Sequence, residues 1–95
     1  MRNYEVGLIV HPETNQEALN QLIDKVKGWI TESGGTVAKV DLWGKRRMAY
    51  AIRKQHDGLY AFVYAEMPTV VPSTLERNLK LTESILRFAI VRMEG

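Results

Sequence analysis

The chain opens on an alternation. Tyr4, Val6, Leu8 and Val10 interleave with Asn3, Glu5, Gly7 and Ile9, the period-two pattern of a strand with one largely apolar side. His11-Pro12 ends it. Thr14-Asn15-Gln16-Glu17 then reads as a capping box, the threonine hydroxyl and the glutamate each meeting an open amide. Leu19, Leu22, Ile23, Val26 and Ile30 follow at helical spacing and predict one apolar stripe. Gly34-Gly35 stops that helix, because glycine takes the left-handed cap without strain.

Thr36 to Lys54 predicts a second extended stretch, long for one strand, with a bulge or bend at Gly44. Gln55-His56-Asp57-Gly58 carries turn chemistry. Leu59 to Met67 is the next strand, with Tyr60, Phe62 and Tyr64 on one side and Leu59, Ala61, Val63, Ala65 and Met67 on the other. Pro68 closes it, and Pro72 suits the first turn of a second helix. Val71, Leu75 and Leu79 recur every four residues there, with Glu76 and Lys80 spaced as an ion pair. After a break at Thr82-Glu83, Ile85 to Met93 predicts the last strand, Leu86, Phe88 and Ile90 facing one way and Ile85, Arg87, Ala89 and Val91 the other.

The order is β-α-β-β-α-β, an α+β arrangement. Two right-handed crossovers around a hairpin give a four-stranded antiparallel sheet with both helices on one face. Tyr4, Val6, Leu8, Val63, Met67, Leu86, Phe88 and Ile90 are expected beneath the helices. The strand phase then puts Tyr60, Phe62 and Tyr64 on the open face with Ile9, Ile85, Ala89 and Val91. Such an apolar patch is either an interaction surface or ground covered by a loop or by the bend of the second strand.

The length of 95 residues predicts a single domain spanning 1–95. The absence of cysteine excludes disulfides, thiolate metal sites and a cysteine nucleophile. No apolar run approaches the ~18–20 residues of a membrane span. Met1-Arg2-Asn3 leads at once into a strand, so no secretory signal is expected. Charge changes the picture more. The net charge is +2, yet Gly44–Lys54 alone holds five basic residues and no acidic one, while the other 84 residues hold eight basic and eleven acidic. Lys45, Arg46 and Arg47 sit at the expected bend, and Arg53 and Lys54 close the segment. Arg2, Arg87 and Arg92 lie on the first and last strands, which are neighbours in this topology. Scattered cations on a sheet and its edges suit phosphate contacts. The plainer reading is a solvated charged surface.

Signals of catalysis are poor. His11 and His56 are the two histidines, each in an expected turn without a partner that would make it a general base. No catalytic triad, paired carboxylates, metal-ligand spacing or glycine-rich phosphate loop can be placed, so neither cofactor nor metal is expected. A small enzyme or ligand-binding dimer would need a polar group between sheet and helices, where Tyr4 is the sole candidate. Another reading is a single-stranded RNA module stacking bases on Tyr60, Phe62 and Tyr64. Tyr60-Ala61-Phe62-Val63 follows the central pattern of such modules, but the basic-glycine start is missing and Ala65 replaces the final aromatic.

Met1-Arg2-Asn3-Tyr4-Glu5, the segment from Gly44 to Arg53, and Glu66-Met67-Pro68 resemble the bacterial small-subunit ribosomal protein S-six (S6) family over essentially the whole chain. Met48 stands where leucine is usual and Ala51 where proline is common. The resemblance implies a ferredoxin-like fold and a structural role in the cytoplasmic ribosome, with no catalytic residues. It further implies pairing with ribosomal protein S-eighteen (S18) and binding to small-subunit ribosomal RNA in its central domain, on the platform, with no membrane and no small-molecule substrate involved. RNA or partner contact carries over to Arg2, Arg46, Arg47 and Arg53, which match the family pattern. Lys45, Lys54, Arg87 and Arg92 join the expected RNA-binding set from charge and strand phase, and Tyr60, Phe62, Tyr64 and Ile85 form the expected protein-partner surface.

Overall fold

The computed structural model describes residues 1–69 and 73–93. Its elements are β1 (Arg2–Val10), α1 (Gln16–Glu32), β2 (Thr36–Ile52), β3 (Gln55–Met67), α2 (Ser73–Leu81) and β4 (Ile85–Arg92). The sheet order is β2-β3-β1-β4 and every neighbouring pair is antiparallel. The expected α+β architecture is therefore present. Val71 and Pro72, assigned to the start of the second helix, lie outside the described residues.

Alternation in β1 and β3 does what the pattern predicts. Val6 faces Val63 and Leu8 faces Ala61 across the β1–β3 ladder, and these side chains pack beneath Leu22, Ile23, Val26 and Ile30 of α1 and Leu75 and Leu79 of α2. Both helices thus cover one face. Val6, Val26, Ile30 and Val63 are completely buried, and each such side chain contributes about 1.5–3 kcal/mol. No polar or charged residue is buried among the described residues. Tyr4 keeps its hydroxyl satisfied by donating to the Thr69 carbonyl at 2.7 Å.

Three local expectations are corrected. The cap of α1 is Asn15, whose side-chain oxygen accepts from the Ala18 amide at 2.8 Å, so the helix starts one residue beyond the threonine-based box. The β2–β3 hairpin turns at Arg53-Lys54, not over Gln55–Gly58: Ile52 pairs with Gln55, and the two central residues have φ of 49° and 66°. Positive φ at both positions is the type I′ geometry that matches strand twist. Third, the β1–β4 register slips between Ile9 and Val10, so Ile85 faces Val10 and belongs to the core at 3% exposure. Ile85 therefore leaves the open face.

Candidate nucleic-acid interface

The face away from the helices is read row by row from the ladders. Lys39, Tyr64, Glu5 and Val91 form one row. Asp41, Phe62, Gly7 and Ala89 form the next, then Gly44, Tyr60, Ile9 and Arg87. The middle row lacks side chains beyond Cβ at Gly7 and Ala89. Phe62 leans into that gap, since a Cβ on Gly7 would stand 3.3 Å from its ring. What remains is a depression of about 160 Å³ lined by Gly7, Ile9, Tyr60, Phe62 and Ala89, with Glu5 and Arg87 at its rim.

The long second strand covers part of this face. It carries three register slips, between Val37 and Lys39, between Leu42 and Gly44, and between Arg47 and Ile52. The second leaves Trp43 as an extra residue beside Gly44, whose φ of 79° suits a residue without Cβ. The Trp43 indole tilts onto Phe62, with ring centroids 4.6 Å apart. Beyond the bulge, β2 and β3 overhang the shorter β1 and β4 and bend across the end of the sheet. Met48 is buried there, beside Gly58 and next to Ile9. Arg87 of β4 donates to the Tyr50 hydroxyl at 2.6 Å, and Arg53 donates to the Glu83 carbonyl at 2.9 Å in the turn before β4. The two outer strands of the sheet, β2 and β4, are thereby tied together.

Tyr60, Phe62 and Tyr64 consequently stand half-buried, not open. With Phe62 under the Trp43 indole, the three do not offer a shared stacking platform. Tyr64 has Lys39 over its ring at 5.8 Å. Partial burial, together with the charges of Glu5 and Asp41, raises the Tyr64 phenol above its ordinary pKa.

The basic residues fall into two groups. Lys45, Arg46, Arg47, Arg53 and Lys54 are exposed along the overhanging hairpin, and Arg87 joins them from β4. Arg2 and Arg92 are exposed at the opposite end of the sheet, with Arg92 facing Tyr4 across the ladder. Arg87 and Arg92, the members of the two groups that share β4, stand five residues apart, roughly 17 Å of strand. Sequence reading missed Trp43 and Lys39. An aromatic directly before the bend glycine was the available signal for the first.

Comparison with known proteins supplies the family. The family model described as ribosomal protein S6 matches residues 3–92. The chain belongs to the ribosomal protein S6 family. It is 42% identical to the small ribosomal subunit protein bS6 of Moorella thermoacetica, over 99% of this chain and 96% of that one. It is 43% identical to that of Alkaliphilus metalliredigens, over 99% of each chain. The crystal structure of 30S ribosomal protein S6 from Thermotoga maritima superposes with a TM-score of 0.90 at 31% identity, covering 97% of this chain and 87% of that one. S6 proteins are structural, non-enzymatic components of the small ribosomal subunit. No metal-holding group of acidic residues and histidines is found among the described residues, and no helix there is long and apolar enough to cross a membrane.

Proposed function

We propose that this S6 chain binds small-subunit ribosomal RNA, in the central domain that forms the platform, jointly with ribosomal protein S18 in the bacterial cytoplasm. The observation that carries this reading is the overhanging hairpin: it gathers exposed Lys45, Arg46, Arg47, Arg53 and Lys54 beside a sheet face that its own chain covers only in part. The cations contact phosphate and supply affinity without reading bases. The apolar remainder of the face, with Tyr60 and Phe62 lining the Gly7 depression and Tyr64 in the adjoining row, docks the protein partner. Exposed charges contribute little to folding, so the two roles are separable by mutation.

The test is reconstitution on a central-domain RNA fragment across a salt series, with and without S18. Tight binding is expected only with both partners, falling steeply with salt. Arg46→Ala with Arg47→Ala should lower the slope of log affinity against log salt by about two, while thermal unfolding shifts little. Salt-insensitive binding that ignores S18 would refute the reading.

A further inference from the structure

We infer that Trp43 and Arg46 form a stacking site for one unpaired nucleobase of the bound RNA. Trp43 is 49% exposed, an unusual position for the largest aromatic side chain. It is also held in place. The bulge at Gly44 sets it outward on the edge strand, Phe62 braces the indole from the sheet side, and its Nε1 donates to Asp41 at 3.4 Å. A braced ring loses little freedom when it binds. The Arg46 guanidinium lies 5.8 Å from the indole centroid, and Lys45 and Arg47 flank it, all exposed.

An indole with guanidinium beside it, on the most cationic strand of the chain, matches a nucleotide in both its parts. The base stacks on the exposed indole, and Arg46 exchanges its ring contact for a charge-assisted bond to the adjoining phosphate. A protein surface closing over Trp43 would have to desolvate the neighbouring cations as well, at considerable cost. Stacking accepts any base, because every base has a π face.

The site deepens the RNA-binding reading above and rests on it, but its test uses neither ribosomal RNA nor S18. The full chain carrying Trp29→Phe retains Trp43 as its one tryptophan. It is titrated, following indole fluorescence, with a single-stranded ten-nucleotide oligoadenylate and with an abasic ribose-phosphate oligomer of equal length. The oligoadenylate should quench Trp43 and bind about tenfold tighter than the abasic chain. Trp43→Leu, which retains an apolar contact on Phe62, should erase that margin, and Trp43→Phe should keep part of it. Anisotropy of a labelled oligomer reads these two variants. Equal affinity for the two oligomers, or a margin that survives Trp43→Leu, overturns the site. Either result would leave the phosphate reading intact if salt dependence persists; failure to assemble with S18 on ribosomal RNA would strike that reading alone.

Discussion

Gly58 decides where the cationic hairpin sits, and Gly58→Ala measures it. A Cβ at this position would fall well inside contact distance of Ile9 Cγ2, with Val10 O at 3.6 Å and Met48 Sδ at 3.7 Å. The clashing atom belongs to a β-branched side chain on the central strand β1, so it cannot swing aside cheaply. Overpacking of this kind costs about 1–3 kcal/mol. Loss of unfolded-state entropy on replacing glycine returns up to ~1 kcal/mol. The net expectation is a loss of about 1–2 kcal/mol, or a Tm lower by roughly 4–15 °C for a domain of this size. Gly28→Ala is the control of opposite sign. It lies in α1 with nothing within 4 Å of its Cβ position, so it should stabilise by about 0.5–1 kcal/mol. Both are read by thermal and urea unfolding. Adding Ile9→Ala to Gly58→Ala should recover stability relative to the sum of the single changes, with a coupling of ~1 kcal/mol. A Gly58→Ala protein as stable as its parent, with no coupling to Ile9, would show that the overhang is not seated on β1 and would remove the basis for placing Lys45–Lys54.

Lys54→Gly should stabilise the protein by about 0.5–1 kcal/mol, because a left-handed conformation costs a residue with a side chain ~1–2 kcal/mol and glycine's greater unfolded entropy takes back part of that. A rise in the urea midpoint together with weaker RNA binding supports the type I′ turn; a fall in the midpoint contradicts it. Tyr64→Phe tests the polar end of the open face. The Tyr64 pKa is raised above 10.0 by partial burial and by Glu5 and Asp41. The unfolded chain therefore gives up this proton first. The associated stability is complete below about pH 10 and lost as pH rises through the folded pKa. Urea midpoints should fall less steeply above pH 10 in Tyr64→Phe than in the parent, and identical profiles would count against the influence of the carboxylates.

Most of the fold is legible in the sequence because it rests on period. The alternation of Tyr4, Val6, Leu8 and Val10 and the helical stripe from Leu19 to Ile30 each allow one amphipathic element, and both coincide with the core. Two of the misses share a cause. Alternation carries a face assignment along a strand only while no residue is inserted. The slip between Ile9 and Val10 returns Ile85 to the core, and the slip between Leu42 and Gly44 releases Trp43 onto Phe62. The first slip has no signal in the sequence; at the second, Gly44 marks the bend but does not show that Trp43 is the residue set outward. The hairpin turn was misplaced for a different reason. His56-Asp57-Gly58 has turn-forming composition, but Gly58 is needed for the space beside Ile9, not for a left-handed φ. Arg53-Lys54, with no turn-type residue, is closed by the single Ile52–Gln55 pair, beyond the slip that follows Arg47.

The candidate site was legible as charge but not as geometry. Counting basic residues finds the segment; it does not show that Arg53 and Arg87 each donate a hydrogen bond within the chain. Those bonds link the hairpin tip to the α2–β4 turn and to β4, so the two arginines hold the overhang as well as adding to its field. Removing either would mix a change in position with a loss of charge. Arg47, exposed and paired with Asp57 at the end of the continuous pairing, before the slip that runs to Ile52, makes neither of these links. Its substitution therefore isolates the phosphate contribution, whereas Arg46 reports on phosphate and on the Trp43 indole together. A larger effect at Arg46 than at Arg47 on binding a chain that carries bases, and equal effects on an abasic one, follows from this arrangement because only Arg46 lies over the indole on which a base would rest.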